Sequence, residues 1–165
     1  MGLELRSLSA ADRDRIEAIT RAVGVFRSDE LPVALEVFDA AVAGARPAQA
    51  SEPDYTGLGA DVEGRLVGWI CWGATPCTLG TYDLYWMAVD PAGQHVGVGS
   101  ALLAEMERRL VGRARLIVVE TAGRADYADT RRFYQARGYE ATARIPDFYA
   151  PGDDLVVYTK RLVEV

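Results

Sequence analysis

Trp86-Met87-Ala88-Val89-Asp90-Pro91-Ala92-Gly93-Gln94-His95-Val96-Gly97-Val98-Gly99-Ser100-Ala101-Leu102-Leu103 is the stretch that decides the fold. Trp86 to Val89 is apolar throughout, as in a strand covered on both faces. A proline–glycine turn follows. From Gly97 to Leu110 the apolar residues recur at helical spacing, with Leu102, Leu103, Met106 and Leu110 on one face. A strand therefore runs through a glycine loop into a helix. Gly97 and Gly99 bracket the helix start, where a ligand can approach the backbone with no Cβ in its way. The first N–H groups of a helix lack internal partners and carry the positive end of the dipole, so this loop suits a phosphate or pyrophosphate. The plainer alternative is a turn that only connects strand to helix.

Upstream of this stretch the pattern is that of an antiparallel meander. Tyr55 to Val62 and Arg65 to Ala74 read as strands separated by Glu63-Gly64, a hairpin signal, and Tyr82 to Val89 is the third member. Before them, Leu3 to Leu8 alternates as a strand does. Ser9, with Asp12 three residues on, caps a helix over Ala10 to Val23. Ser28 opens a second helix that Gly44 stops, and residues 45–53 read as a loop. Downstream, Leu116 to Val119 is a short strand ending in Glu120, and Asp126 to Arg137 is a helix stopped by Gly138. Tyr139 to Ile145 and Leu155 to Leu162 are the last strands. This order predicts one domain over residues 1–165, of α/β class, with a central mixed sheet and helices on both faces.

The chain has 165 residues, 50% of them hydrophobic and 25% charged, the make-up of a soluble globular domain. At this length roughly 70% of the unfolded surface can be buried, so neither disulfide nor metal is needed for stability. Eighteen basic residues against 24 acidic leave a net charge of −6, which argues against nucleic acid as a partner and gives no support to an anionic membrane. No apolar run approaches the ~18 residues of a membrane span, and Met1 to Arg6 reads as a short alternating stretch and not as the basic, then apolar pattern expected of a secretory leader. Cys71 and Cys77 fit no metal-ligand spacing and His95 is the single histidine, so no zinc or haem site is expected. Free thiols make a cytoplasmic protein the default.

Two named phosphate loops do not fit. A P-loop needs Gly-Lys-Ser/Thr, which is absent. The dinucleotide fingerprint would begin at Gly97, but its third glycine position is Leu102. Glu120 does end a strand about 20 residues on, as that fingerprint prefers. The preceding meander, however, is not the opening of a Rossmann-like doubly wound sheet.

Gln94-His95-Val96-Gly97-Val98-Gly99, following Met87-Ala88-Val89-Asp90-Pro91, resembles the Q/R-x-x-G-x-G/A signature of the Gcn5-related N-acetyltransferases, the GNAT family. Arg132-Phe133-Tyr134-Gln135-Ala136-Arg137-Gly138-Tyr139 resembles that family's aromatic-Tyr-x-x-x-Gly-aromatic helix end, and the element order matches from Leu3 onward. The resemblance implies a mostly antiparallel mixed sheet whose central strands, Asp83–Val89 and Leu116–Glu120, splay apart around acetyl-CoA. It implies a pantetheine arm along Met87, Ala88 and Val89, with an amide near Met87 serving the thioester oxygen. The pyrophosphate would lie on the N–H groups of Gln94, His95, Val96, Gly97, Val98, Gly99 and Ser100. The family often has Asn seven residues before its tyrosine. Tyr127 stands there in this chain and takes that cofactor-side position.

Acetyl transfer from a thioester to an amine makes three demands. The amine must lose a proton, since a lysine-like ammonium titrates near ~10.4, the tetrahedral intermediate needs donors, and the leaving thiolate takes back a proton, since a thiol titrates near ~8.5. Tyr134 sits where the family keeps its general acid; the alternative is a core aromatic beside Phe133. Asp83 and Glu120 sit where different branches place a carboxylate base, either relaying through water; the alternative for each is a solvated or arginine-paired strand end. His95 lies inside the phosphate loop and reads as a loop residue. Arg124, Arg131 and Arg132 could meet the adenosine phosphate or form a solvated helix face. The family's acceptor side corresponds to Ile145–Asp154. There Asp147, Asp153 and Asp154 would suit a cationic amine, or else mark an ordinary turn. The expected activity is acetyl-CoA-dependent transfer by direct attack to a small amine, an amino acid or a protein N-terminus, with no metal. A homodimer stays open. The rival from another class is a non-catalytic acyl-CoA sensor.

Overall fold

The computed structural model describes residues 2–44, 54–92 and 97–162. In chain order the elements are β1 (Leu3–Ser7), a 3₁₀ turn (Ala10–Asp12), α1 (Arg13–Ala22), α2 (Glu30–Gly44), β2 (Thr56–Val62), β3 (Arg65–Ala74) and β4 (Thr81–Val89). They continue with α3 (Val98–Leu110), β5 (Leu116–Ala122), a second 3₁₀ turn (Ala125–Tyr127), α4 (Ala128–Gln135), β6 (Glu140–Ala150) and β7 (Asp153–Arg161). The strands hydrogen-bond in the order β1-β2-β3-β4-β5-β7-β6. β1–β2 and β2–β3 are antiparallel, β4–β5 is parallel, and β5–β7 and β6–β7 are antiparallel. This is the mixed, mostly antiparallel sheet expected, and it rules out the parallel sheet of a Rossmann-like domain. The parallel ladder is short, running only from Thr81↔Leu116 to Leu84↔Val119. Among the described residues no helix is long and apolar enough to cross a membrane.

The chain forms two compact units, Met1–Ala74 with Tyr85–Leu110, and Thr75–Leu84 with Val111–Val165. In the first, β3 is buried from Leu66 to Gly73 because both its faces are covered. Trp69 and Cys71 pack with Ile16 and Ile19 of α1 and Phe38 of α2. The Phe38 and Trp69 rings meet edge-on at 6.2 Å. The buried Trp69 indole N–H donates to Thr20 Oγ1 at 3.2 Å, so its polar atom is satisfied inside the core. Gly68 points the other way along the pleat and meets α3: a Cβ there would lie 2.7 Å from Val98 Cγ1 and 3.3 Å from Leu102 Cδ1. Thus α1 and α2 cover one face of β3 and α3 the other.

Two helix starts differ from expectation. The Asp12 carboxylate accepts the Ser9 N–H at 2.8 Å, so Ser9 and Asp12 do mark the start, but residues 10–12 wind as a 3₁₀ turn before α1. Asp12 is also held by Arg6, which bridges it to Asp61. α2 begins at Glu30, whose carboxylate accepts the Arg27 N–H; capping is set one residue ahead of the expected Ser28.

In the second unit β5 lies between β4 and β7, with Ile117, Val119 and Thr121 buried. The Tyr134 and Tyr139 rings meet at 5.5 Å. The helix expected from Asp126 opens as a 3₁₀ turn and is regular only over Ala128–Gln135. The expected connection from Ile145 to Asp154 is largely strand. β6 runs on to Ala150 and turns through Pro151-Gly152 into Asp153. Between Ile145↔Leu155 and Ala150↔Asp153 the register shifts, so residues 146–149 bulge out of the ladder. The turn-forming residues read from sequence are real, but they serve a bulge and a tight turn within one hairpin.

The approach at Gly68 has a measurable cost attached. Val98 is fully buried and β-branched, so it cannot swing clear of an added methyl. Gly68→Ala should destabilise the protein by about 1–3 kcal/mol, the usual range for overpacking. Urea denaturation followed by circular dichroism reads this directly, and an unchanged midpoint would mean that α3 has slack against β3.

Candidate active site

β4 brings Met87, Ala88 and Val89 to the glycine loop, with Ala88 buried and its two neighbours half-buried. The strand's exit is fixed at Asp90. Its N–H donates to Val67 O at 2.7 Å, and its carboxylate accepts the Ala92 N–H at 3.0 Å and the Arg15 guanidinium. Arg15 also donates from Nε to Leu66 O at 2.8 Å. The Ala92 amide first, and Arg15 second, hold the Asp90 carboxyl below the usual carboxylate range. Sequence reasoning passed over both residues; the available signal was an aspartate before proline at a strand end, which favours such a turn.

Gln94, His95 and Val96 lie outside the described residues. Gly97 has φ +74°, a conformation a side chain would strain, and its carbonyl accepts the Ala101 N–H at 3.0 Å. That is the first helical bond of α3. The amides of Val98 and Gly99 precede it, in the first turn, where a helix leaves N–H groups without intrahelical partners.

In the other unit, Asp83 is in register with Val118, and Glu120 follows on the same sheet face two residues along. The two carboxylates expected as alternative bases are therefore neighbours. Glu120 is exposed by surface area, yet the surrounding protein still partly desolvates it. That desolvation first, and the negative charge of Asp83 second, push its carboxyl above the usual value. Asp83 Oδ2 accepts the Thr75 hydroxyl at 2.6 Å. Thr75 is held in turn: its N–H donates to Thr81 O at 2.9 Å, and its carbonyl accepts the Thr78 hydroxyl at 2.7 Å.

Tyr134 is 3% exposed, and the rings of Phe133 and Tyr139 lie edge-on to it at 5.3 and 5.5 Å. Burial first, and Tyr127 second, push its phenol above the usual tyrosine value. Tyr127 is buried too, under the Arg124 guanidinium at 5.2 Å from its ring centroid. Tyr134 thus has both the packing of a core aromatic and the motif position of an acid.

The charged side chains near the hairpin are already engaged. Arg124 pairs with Asp153 at 2.8 Å, Arg144 with Asp154 at 2.6 Å, and Asp154 also accepts the Asp147 N–H at 3.0 Å. Asp147 accepts the Gly152 N–H at 2.6 Å. The expected cationic-amine trap is therefore a set of hairpin staples. Arg131 donates to the carbonyls of Ala122 and Arg124 at 2.7 and 2.8 Å, fixing the turn between β5 and α4. Of the three arginines considered, only Arg132 lies on an exposed helix face, beside Asp129.

A family model described as an acetyltransferase (GNAT) domain matches residues 53–141. A GNAT-family protein from Desulfovibrio desulfuricans is 35% identical, with TM-score 0.86 over 97% of this chain and 99% of that one. An uncharacterized N-acetyltransferase from Methanocaldococcus jannaschii is 28% identical over 107 residues, which cover 62% of this chain and 64% of that protein, less than two thirds of its length. The PaiA N-acetyltransferase from Thermoplasma acidophilum, in complex with coenzyme A, has TM-score 0.75 over 98% of this chain and 100% of that one. At 18% identity the likeness is one of fold.

The raised Glu120 carboxyl makes a stability prediction whose sign can be worked out. A carboxyl that binds its proton more tightly when folded contributes stability below the ordinary value of ~4.3, and that stability is lost as pH rises through the raised value. At pH 7 the ionised group is therefore a cost that Glu120→Gln removes. The variant should melt higher than the parent at pH 7, on the order of 1–3 °C. The gap should close near pH 4. Calorimetry at the two pH values checks this, and an equal gap at both would assign the effect to packing.

Proposed function

The chain belongs to the GNAT family of acetyltransferases, and on that premise we propose that it moves an acetyl group from acetyl-CoA to a primary amine by direct attack in a ternary complex. The observation that carries this proposal is the start of α3. The amides of Val98 and Gly99 precede the first helical bond, from Ala101 to Gly97, at the end of the Q-x-x-G-x-G stretch. Gly99 leaves the backbone open to a phosphate. The coenzyme A complex of the PaiA protein, which shares the fold, supports the same donor.

In this reading the amides from Gln94 to Ser100 hold the pyrophosphate, and the backbone of Met87, Ala88 and Val89 holds the pantetheine arm. Tyr127 packs on the cofactor side in place of asparagine. Glu120 is the base that we favour over Asp83. Its carboxyl is pushed toward neutrality and so binds a proton more tightly than an ordinary glutamate. It takes the proton of the attacking nitrogen, directly or through water. As the carbon–nitrogen bond forms and the carbon–sulfur bond breaks, the Tyr134 hydroxyl donates to the leaving thiolate. Its raised phenol keeps that proton in place across the working range. The acceptor is a small amine, an amino acid or a protein N-terminus, and residues 1–165 act as one N-acetyltransferase domain. A cytoplasmic setting, supported by the free Cys71 and Cys77, belongs to the same proposal.

The test is acetyl-CoA turnover against a panel of amines. Tyr134→Phe should lower kcat by roughly 10²–10⁴-fold with acetyl-CoA affinity unchanged. Turnover at the parent rate would make Tyr134 a packing residue. Gly99→Val should weaken acetyl-CoA binding in calorimetric titration while the circular dichroism spectrum is retained. Acetyl-CoA binding with no turnover on any amine would favour a sensor instead.

A further inference from the structure

The loop between β3 and β4 carries a hydroxyl for which acetyl transfer as derived above has no use. Thr75 donates to Asp83 Oδ2 at 2.6 Å, and its own backbone is pinned at both ends, by Thr81 O at 2.9 Å and by the Thr78 hydroxyl at 2.7 Å. A threonine held this way has little freedom to turn, and it fixes the rotamer of the carboxylate it binds. Asp83 in turn stands on the same sheet face as Glu120, one step back along the parallel ladder. The β7 residues on that face, Leu155, Val157 and Thr159, carry no charge, and Val157 is paired to Glu120 itself. Among the described residues, Asp83 is the charge that acts on Glu120.

We propose that Thr75 is a positioning residue for the carboxylate pair: its hydroxyl holds the Asp83 carboxylate beside Glu120 on the shared sheet face. The inference rests on Glu120 being the base. The two are separable, because the pair can be read in the free protein without turnover. Losing the hydroxyl frees the Asp83 carboxylate to rotate away, which weakens its effect on Glu120. A hydroxyl bonded to a carboxylate is worth about tenfold in an equilibrium of this kind.

The experiment is a pH titration of the Glu120 side-chain carboxyl by carbon-13 NMR in the full chain, for the parent, Thr75→Val, Thr75→Ser and Asp83→Asn. The Val variant keeps the shape and removes the donor; the Ser variant restores it. The Glu120 midpoint should fall in Thr75→Val and in Asp83→Asn and stay at the parent value in Thr75→Ser. The acid limb of kcat/KM should move the same way. A parent-like midpoint in folded Thr75→Val overturns the proposal, as does a Ser variant that behaves like Val. An unchanged midpoint in Asp83→Asn overturns it as well, since the pair would then not be coupled. If instead the midpoints shift as expected while Glu120→Gln turns over at the parent rate, Thr75 positions the pair but Glu120 is not the base.

Discussion

Three consecutive residues of β3 hold both ends of the glycine loop. Leu66 O takes the Arg15 guanidinium that grips Asp90, and Val67 O takes the Asp90 N–H. Gly68 lets Val98 close to the distance at which a methyl would collide. The strand exit and the helix entry are thereby registered on one short stretch of backbone. This close approach is what allows Val98 and Leu102 to be fully buried, and it sets where the first amides of α3 stand. On the proposed function this matters because every amide that must be ordered on binding subtracts from affinity. The described ends of the loop are held by packing at Gly68, by the Asp90 N–H bond to Val67 O, and by Arg15, which bridges Leu66 O and the Asp90 carboxylate.

The other unit uses burial for a different end. Desolvation disfavours the charged form of any acid, so it pushes the Glu120 carboxyl and the Tyr134 phenol in the same direction. For a base this is an advantage, because the carboxylate becomes a better proton acceptor. For an acid facing a thiolate it is a handicap, since a phenol held above its usual value gives up its proton less readily than a thiol does. On the proposed function the two effects reconcile if the Tyr134 hydroxyl acts first as a hydrogen-bond donor to growing charge on sulfur. That role requires the proton to stay put.

The strand–loop–helix pattern, the meander and the final pair of strands were legible because each depends on local signals: alternation in β1, strand-forming runs on either side of the turn residues 63–64, and helical spacing in α3. The neighbourhood of Asp83 and Glu120 was not: the two read as alternative bases, and only the parallel register that sets Asp83 against Val118 brings them together. What escaped was non-local. The Arg15–Asp90 pair joins residues 75 apart, and the Arg124–Asp153 pair joins residues 29 apart. Nothing in a window of ten or fifteen residues announces either. Gly68 was equally silent, because a glycine inside an apolar strand looks the same whether a helix touches it or not. The stretch 145–154 was misread for the opposite reason: its turn residues are strong local signals, but a bulge and a two-residue turn use them without ending the strands.

The fate of the three hairpin aspartates changes how charge bears on the acceptor. A net charge of −6 and a cluster of acids suggested a field drawing in a cation. Asp153 and Asp154 are offset by Arg124 and Arg144, and the Asp147 carboxylate is engaged by the Gly152 N–H, so two of the three charges are paired within the protein. On the proposed function the burden falls on Asp83 and Glu120, where attraction and deprotonation oppose each other. An ammonium arriving beside the pair would be favoured by both charges, but its own positive charge would draw the Glu120 carboxyl back down and weaken it as a base. A neutral amine gains less from the field and leaves Glu120 raised. The pair therefore trades capture against catalysis, and an acceptor whose amine titrates well below a lysine side chain gives up the least on either side.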